Sequence, residues 1–325
     1  MSQISKNNKK NIYTFLNENN LANCLIKPIP QDASSRKYYR IHNKNLLLMI
    51  SNSDENKNYE FIKVSKYLKS IGLSSPEIIK VDHEKGFFLI EDFGNLTFNQ
   101  AMKNNISEEL LYTNAIKCLS TIHNYNININ LPLYNYKYLI NEVNLFPEWY
   151  LKEINIKIND QIIQEWQEAW IKVLNKLNNN KLVLRDFHAD NLFWLPDRSN
   201  IRKIGLIDFQ DALIGNEAYD ISSLLEDVRR DVSKKTKEIS IQKFIDLNKI
   251  NDKKEFMQNY NILTAQRNAK IVGIFIRLTR RDKKFNYLKL VNKAMKIFLE
   301  FANEAELKDI LSWVEKYIPK NKLYL

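Results

Sequence analysis

The sequence predicts an α+β fold of two lobes: a five-stranded antiparallel sheet with one crossing helix, then a mostly helical lobe. Three observations predict it. Five short β-type runs crowd into the first ninety positions, and only one strong helical pattern interrupts them. Beyond Gly94 the apolar spacing becomes helical, and residues 182–212 stand apart with two apolar runs that each end in a carboxylate. At 325 residues the chain passes the size at which a single core stops growing, so two lobes, 1–94 and 95–325, are expected.

Composition narrows the class. With 44% hydrophobic and 11% aromatic residues the chain is globular. No apolar run approaches the roughly 20 residues of a membrane span, and the opening MSQISKNNKK lacks the apolar segment of a signal peptide. A cytoplasmic protein without a membrane partner is expected. Cys24 and Cys118 lie far apart in no metal-type spacing, which predicts reduced, inert thiols. The net charge of +11 comes from lysines scattered among Asn and Ile, without a basic stripe interleaved with aromatics. That pattern reads as coding bias, and no nucleic-acid partner is expected. Nothing in the residues specifies an oligomeric state.

The elements follow in order. Ile12, Phe15 and Leu16 stand at helical spacing within 10–20. Three β-type runs come next: Cys24 to Ile29, Lys37 to His42 and Leu46 to Ser51. Residues 55–71 form an amphipathic helix with Phe61, Val64, Leu68 and Ile71 on one face, closed by Gly72. Two strands flank the turn 83–86, and the second, Phe87 to Ile90, is apolar throughout and therefore buried. Ser107 is placed to cap a helix bearing Leu111, Ala115, Cys118 and Ile122, with His123 near its end in a structural role. A shorter helical segment, Tyr136 to Leu151, is interrupted at Pro147. The helix Asp160–Leu177 is expected to bury Ile163, Trp166, Trp170, Val173 and Leu177. From about Ala218 the chain is again helical, with apolar periodicity in Phe256–Leu278, Leu288–Phe301 and Leu307–Ile318.

The chemistry concentrates in LVLRDFHADNLFWLPDRSNIRKIGLIDFQDA, residues 182–212. Phosphoryl transfer needs one carboxylate to accept the proton of the attacking hydroxyl. It also needs a second carboxylate and an amide oxygen to hold Mg²⁺ against the nucleotide phosphates. Asp186 and Asn191 stand in D-x-x-x-x-N spacing, which makes Asp186 the expected base and Asn191 a metal ligand. Asp208 takes the place of the D-F-G aspartate as the second ligand, with Gln210 where glycine is usual. Ordinary strand-end turns also favour Asp and Asn, but two such acids joined by a Pro196-Asp197 turn rarely arise together by chance.

R-D-F-H-A-D-N followed by L-I-D-F-Q-D-A resembles the aminoglycoside phosphotransferase and choline kinase superfamily, which has the protein-kinase-like fold. The flanks DASSRKYYR (32–40), LIEDFG (89–94), FPEWY (146–150) and YDISSLLEDVRRD (219–231) are more similar to one branch, the bacterial cell-wall kinases acting on C1 of N-acetylmuramate and N-acetylglucosamine. The resemblance covers roughly residues 21 to 300. It implies ATP and Mg²⁺ as cofactors and a small sugar as substrate, phosphorylated at its anomeric hydroxyl.

The resemblance also assigns residues. It puts the 31–36 loop over the nucleotide phosphates; no glycine precedes Gly72, so Ser34, Ser35 and Arg36 must supply the donors. The third β run lacks the lysine kinases usually carry, as the branch does with its Met, so Arg36, Arg40 and Lys44 are the cations at hand and a lysine pair with Glu60 is not expected. Glu91 and Phe93 fall at the adenine hinge. His188 orders its loop, Asp190 is an exposed turn residue, and Asp220 accepts backbone N–H groups of the catalytic loop. On the acceptor side, Trp149 can stack on a sugar, Glu148 can accept hydroxyl hydrogen bonds, and Arg229 can pair with a lactyl carboxylate. The plainer alternatives are that Trp149 is core and that Glu226 to Asp231 form a solvated helix face. Two rival functions stay open: an aminoglycoside or choline-type kinase, and a nucleotide-binding pseudokinase.

Overall fold

A computed structural model describes residues 6–30, 36–51 and 55–325. They fall into two compact units, one of Met1–Ser107 with Ala189–Asp211, the other of Glu108–His188 with Ala212–Leu325.

In the first unit, α1 (Lys6–Glu18) precedes β1 (Ile26–Pro28), β2 (Lys37–Ile41) and β3 (Leu46–Ile50). Helix α2 (Glu55–Ser70), β4 (Ile78–Asp82), β5 (Phe87–Glu91) and a short α3 (Phe98–Lys103) follow. The sheet order is β1-β2-β3-β5-β4, antiparallel throughout, as expected. Period-two alternation explains its continuous apolar runs. Tyr39, Ile41, Leu48, Ile50, Phe87 and Leu89 share one buried cluster with Ile12, Phe15 and Leu16 of α1. Met49 pairs with Phe88, and Phe61 of α2 meets Phe88 edge-on at 6.1 Å between centroids. Both faces of β5 are therefore buried.

Helix α3, capped by Thr97 through the Gln100 N–H, has no counterpart in the predicted elements. The chain also returns to this unit late. A hairpin of Leu192–Trp194 and Ile204–Leu206 is bound by Trp194 N–H to the Leu96 carbonyl at 2.8 Å and by Leu206 N–H to the Ser74 carbonyl at 2.8 Å. Those bonds are why this unit extends past Gly94 and takes in 189–211.

The second unit is helical: α4 (Glu108–Asn124), α5 (Tyr136–Val143), α6 (Asp160–Leu174), α7 (Ala218–Leu225), α8 (Lys234–Asn248), α9 (Lys253–Arg280), α10 (Leu288–Glu304) and α11 (Lys308–Tyr317). Pro147 starts one π-helical turn, Pro147–Leu151, where an interruption was expected. Helix α6 buries Ile162, Trp166, Ala169, Trp170 and Leu174; Trp166, Trp170 and, just past the helix, Leu177 are buried as expected, while Ile163 and Val173 are only half-buried. Trp166 reaches Trp313 of α11 at 4.5 Å, and Phe146 and Phe298 complete that core. A small sheet pairs Lys181–Val183 with Leu213–Gly215. Burial pushes the Cys118 thiol up to about 12, while Cys24 is half-buried. Among the described residues no helix is long and apolar enough to cross a membrane.

Candidate active site

The hairpin of the first unit collects one set of candidate groups. Its register sets Leu192 opposite Leu206, and the Ile207 N–H donates to the Asn191 carbonyl at 3.3 Å. Asn191 and Asp208 therefore leave the same end of the hairpin. Asp208 has φ +60°, a left-handed conformation that costs a residue with a Cβ about 1 kcal/mol. The chain there is held by side chains: Gln210 Nε2 donates to Asp208 Oδ1 at 2.8 Å, and Gln210 Oε1 accepts from Arg36 Nη1 at 2.7 Å. Arg36, 4% exposed, also donates to the Lys57 carbonyl at 3.2 Å and lies over the Phe61 ring. Phe61 in turn stacks on Phe209 at 5.3 Å. Gln210, the residue that replaces glycine, thus links a buried guanidinium to Asp208. Burial pushes the nearby Tyr38 phenol up, with Arg36 opposing and Asp208 reinforcing.

The end of β5 is equally braced. Arg40 makes a bidentate pair with Asp92 and donates to Asn95 Oδ1 at 2.7 Å and to the Gly94 carbonyl at 2.8 Å. Arg40 thereby braces the 92–95 segment. Glu91 pairs with Arg198, whose guanidinium lies over the Phe93 ring. Phe93 also packs on the hairpin: a Cβ at Gly205 would stand 2.8 Å from its Cδ2, so only glycine fits beneath the ring. Glu60 pairs with Lys63 one helical turn on, Met49 is fully buried, and Lys44 is exposed. Ser34 and Ser35 lie outside the described residues. Asp190, expected to be exposed, is half-buried and accepts from Asn99 Nδ2 of α3.

The second unit carries Asp186. The strand Lys181–Val183 ends, and Arg185 turns at φ +72° just before it. Asp220 of α7 accepts the Leu184 N–H at 2.6 Å and the Arg185 N–H at 2.9 Å, as expected. Full burial pushes the Asp220 carboxyl up to about 7, and the two N–H donors only partly offset it. Arg185 pairs with Glu142 of α5, and Lys270 of α9 bridges Glu142 at 3.1 Å and the Tyr219 hydroxyl at 2.7 Å. Burial works to raise the Glu142 carboxyl, but Lys270 and Arg185 outweigh it and hold the carboxyl below its usual range. Backbone strain beside Asp186 is therefore clamped from three helices. His188, N–H to the Asp186 carbonyl at 3.1 Å, is buried and its imidazole is lowered first by that burial.

The expected acceptor residues are placed unevenly. Glu148 is exposed on the π-helical turn, and Trp149 beside it is half-buried with Lys152 over its ring. Arg229 lies over Phe275 and 3.6 Å from Asp227. The solvated-face alternative fails for Glu226 and Asp227, which are buried as the chain turns after α7 ends at Leu225, and holds for Arg229 and Asp231, which are exposed. Sequence reasoning missed the Glu142–Lys270 pair and Arg267. Glu142 and Lys270 stand 128 residues apart, and no spacing signal announces such a pair.

Residues 25–244 match the phosphotransferase enzyme family. The chain belongs to that family and is a phosphotransferase. It is 30% identical over 273 residues to the N-acetylmuramate/N-acetylglucosamine kinase of Caulobacter vibrioides, covering 80% of this chain and 74% of that one. Identity is 27% to the enzyme of the same name from Pseudomonas aeruginosa, with 80% and 79% covered. Among solved structures, choline kinase LicA from Streptococcus pneumoniae matches at TM-score 0.65 and 13% identity over 90% of this chain and 99% of that one. The ADP-bound aminoglycoside phosphotransferase APH(2'')-Ib matches at 0.62 and 17% over 90% and 98%. These likenesses show the expected protein-kinase-like fold.

Proposed function

We propose that the chain transfers the γ-phosphoryl group of ATP to the anomeric hydroxyl of N-acetylmuramate or N-acetylglucosamine, in the cytoplasm, yielding a sugar 1-phosphate for cell-wall recycling. The observation that carries the acceptor is the similarity to four kinases so named, each spanning 79% or 80% of this chain. The chemistry rests on the chain's own groups. Asp186 accepts the proton of the C1 hydroxyl as its oxygen bonds to phosphorus and the bond from phosphorus to the β,γ-bridging oxygen breaks. Asn191 and Asp208 offer hard oxygen donors from one end of one hairpin, a set that suits Mg²⁺. Mg²⁺ held there supplies charge neutralisation at the nucleotide phosphates.

Arg36 is the proposed phosphate cation in place of a β3 lysine, with Ser34 and Ser35 as neighbouring donors. Glu91 and Phe93 present backbone groups to the adenine edge. Trp149 and Glu148 serve the acceptor by stacking and hydrogen bonding. The test is ³¹P NMR of products formed from each sugar with ATP and Mg²⁺. A phosphate coupled to the anomeric proton supports the reading, and phosphorylation at another hydroxyl, or ATP hydrolysis without a sugar product, overturns it.

A further inference from the structure

Among the described residues, the buried cations Arg185 and Lys270 of the second unit have partners, and Arg267 is an exception. Arg185 and Lys270 share Glu142. Arg267, on the same helix as Lys270, is 5% exposed, its Nη1 is buried without a partner, and no hydrogen bond, ion pair or ring reaches its guanidinium among the described residues. A buried guanidinium left in that state is strongly disfavoured, so its retention needs a reason outside the fold. Asp227 is a partial exception: its Oδ1 lies 3.6 Å from Arg229 Nη1, and only its second oxygen lacks a hydrogen-bond partner. It is 1% exposed; Oδ1 accepts the Arg229 N–H at 3.0 Å, and Oδ2 is buried without a partner.

The two exceptions share a neighbourhood. A carboxylate oxygen of Asp227 lies within 4.8 Å of a His188 ring nitrogen, and the charges of Asp227, Arg229, Asp186 and Arg267 all act on that ring. Arg267 acts on Asp220 as well, the residue that holds the backbone before Asp186. A carboxylate oxygen and a guanidinium, neither with a hydrogen-bond partner among the described residues, thus both act on the histidine two residues after the proposed base. A ligand carrying both an anion and hydroxyl donors satisfies both.

Resting on the sugar-kinase reading, we propose that Arg267 and Asp227 are the acceptor-recognition pair: Arg267 receives the lactyl carboxylate of N-acetylmuramate, and Asp227 Oδ2 accepts a sugar hydroxyl. Arg229, the residue the sequence offered for the carboxylate, is already engaged with Asp227 and Phe275. The pair also disfavours polycationic acceptors, because Arg267 repels an ammonium group. N-Acetylglucosamine lacks the carboxylate, so it leaves Arg267 unsatisfied and is the internal control.

The experiment compares wild type with Arg267→Met, Arg267→Lys and Asp227→Asn. It measures kcat/KM for both sugars, KM for ATP, and melting temperature with and without N-acetylmuramate. Arg267→Met lowers the N-acetylmuramate to N-acetylglucosamine ratio by about ten- to a hundredfold, the size of a lost charged hydrogen bond. Arg267→Lys, which keeps the charge without the fork, falls between. The ligand-free methionine variant melts no lower than wild type, because no native pair is lost, but N-acetylmuramate no longer stabilises it. Asp227→Asn raises KM for both sugars. An unmoved ratio overturns the pair, and a rise in ATP KM in its place assigns the anion to the nucleotide. Wild-type turnover with an unmoved ratio sinks this inference alone, whereas a wild type inactive on both sugars sinks the sugar-kinase reading with it.

Discussion

Two buried arginines, one in each unit, are treated in opposite ways. Arg36 is held by Gln210, the Lys57 carbonyl and the Phe61 ring, while among the described residues no hydrogen bond or ion pair holds the Arg267 guanidinium. The difference teaches how the molecule divides its work. Arg36, Glu91 and Phe93, assigned to the nucleotide, are fixed by internal partners before any ligand arrives, which limits the reorganisation that transfer requires. Arg267 Nη1 and Asp227 Oδ2, assigned to the acceptor, lack hydrogen-bond partners, so binding energy is gained there only with a complementary ligand. Stability and recognition conflict at the second position and agree at the first.

Substitutions break or sharpen that contrast. The largest effect is expected from Asp208→Asn, which abolishes turnover because a neutral amide weakens the metal site; near-normal activity in a folded variant removes Asp208 from the ligand set. Asp186→Asn lowers kcat by roughly 10²–10⁴, the usual size of a lost general base, and leaves nucleotide affinity intact. Collapse of nucleotide affinity would move Asp186 to the nucleotide side. Arg36→Ala raises the ATP KM by about ten- to a hundredfold, since a hydrogen bond to a charged group contributes about 1.5–3 kcal/mol. Lys44→Ala, at an exposed residue, changes it less than about threefold. Equal effects from Arg36 and Lys44 would erase the preorganised half of the comparison.

The smallest effect concerns pH. Asp220 is raised to about 7 by burial, against an ordinary aspartate value near 4, so the folded state binds the extra proton. Its contribution to stability is present below about pH 4 and is lost as pH rises through about 7. Denaturant unfolding between pH 5 and pH 8 should therefore show wild type losing stability relative to Asp220→Asn. Parallel pH curves would place Asp220 outside this balance.

Much of the first unit could be read from the chain because local patterns fix it. The short β-type runs at β2, β3 and β5 and the helical spacing of Ile12, Phe15 and Leu16 gave elements that match to within a few residues. Asp186, Asn191 and Asp208 announced themselves by spacing, and the register of the hairpin explains why two of them emerge together. The buried charges did not. Asp227 sits in a run of charges that looks solvated until α7 ends at Leu225 and turns it inward. Arg267 stands amid the apolar periodicity of α9, and its burial depends on packing between helices far apart in sequence. Periodicity reports which face is apolar, and it is silent on which polar group is trapped there.

Steady-state turnover of N-acetylmuramate and N-acetylglucosamine, set beside their 1-O-methyl glycosides and kanamycin, tests the central claim most directly. The account predicts turnover of both free sugars, with N-acetylmuramate preferred, and none of the blocked glycosides. Turnover of the glycosides would contradict transfer to C1, and a preference for kanamycin would contradict an acceptor site built around an unpaired arginine.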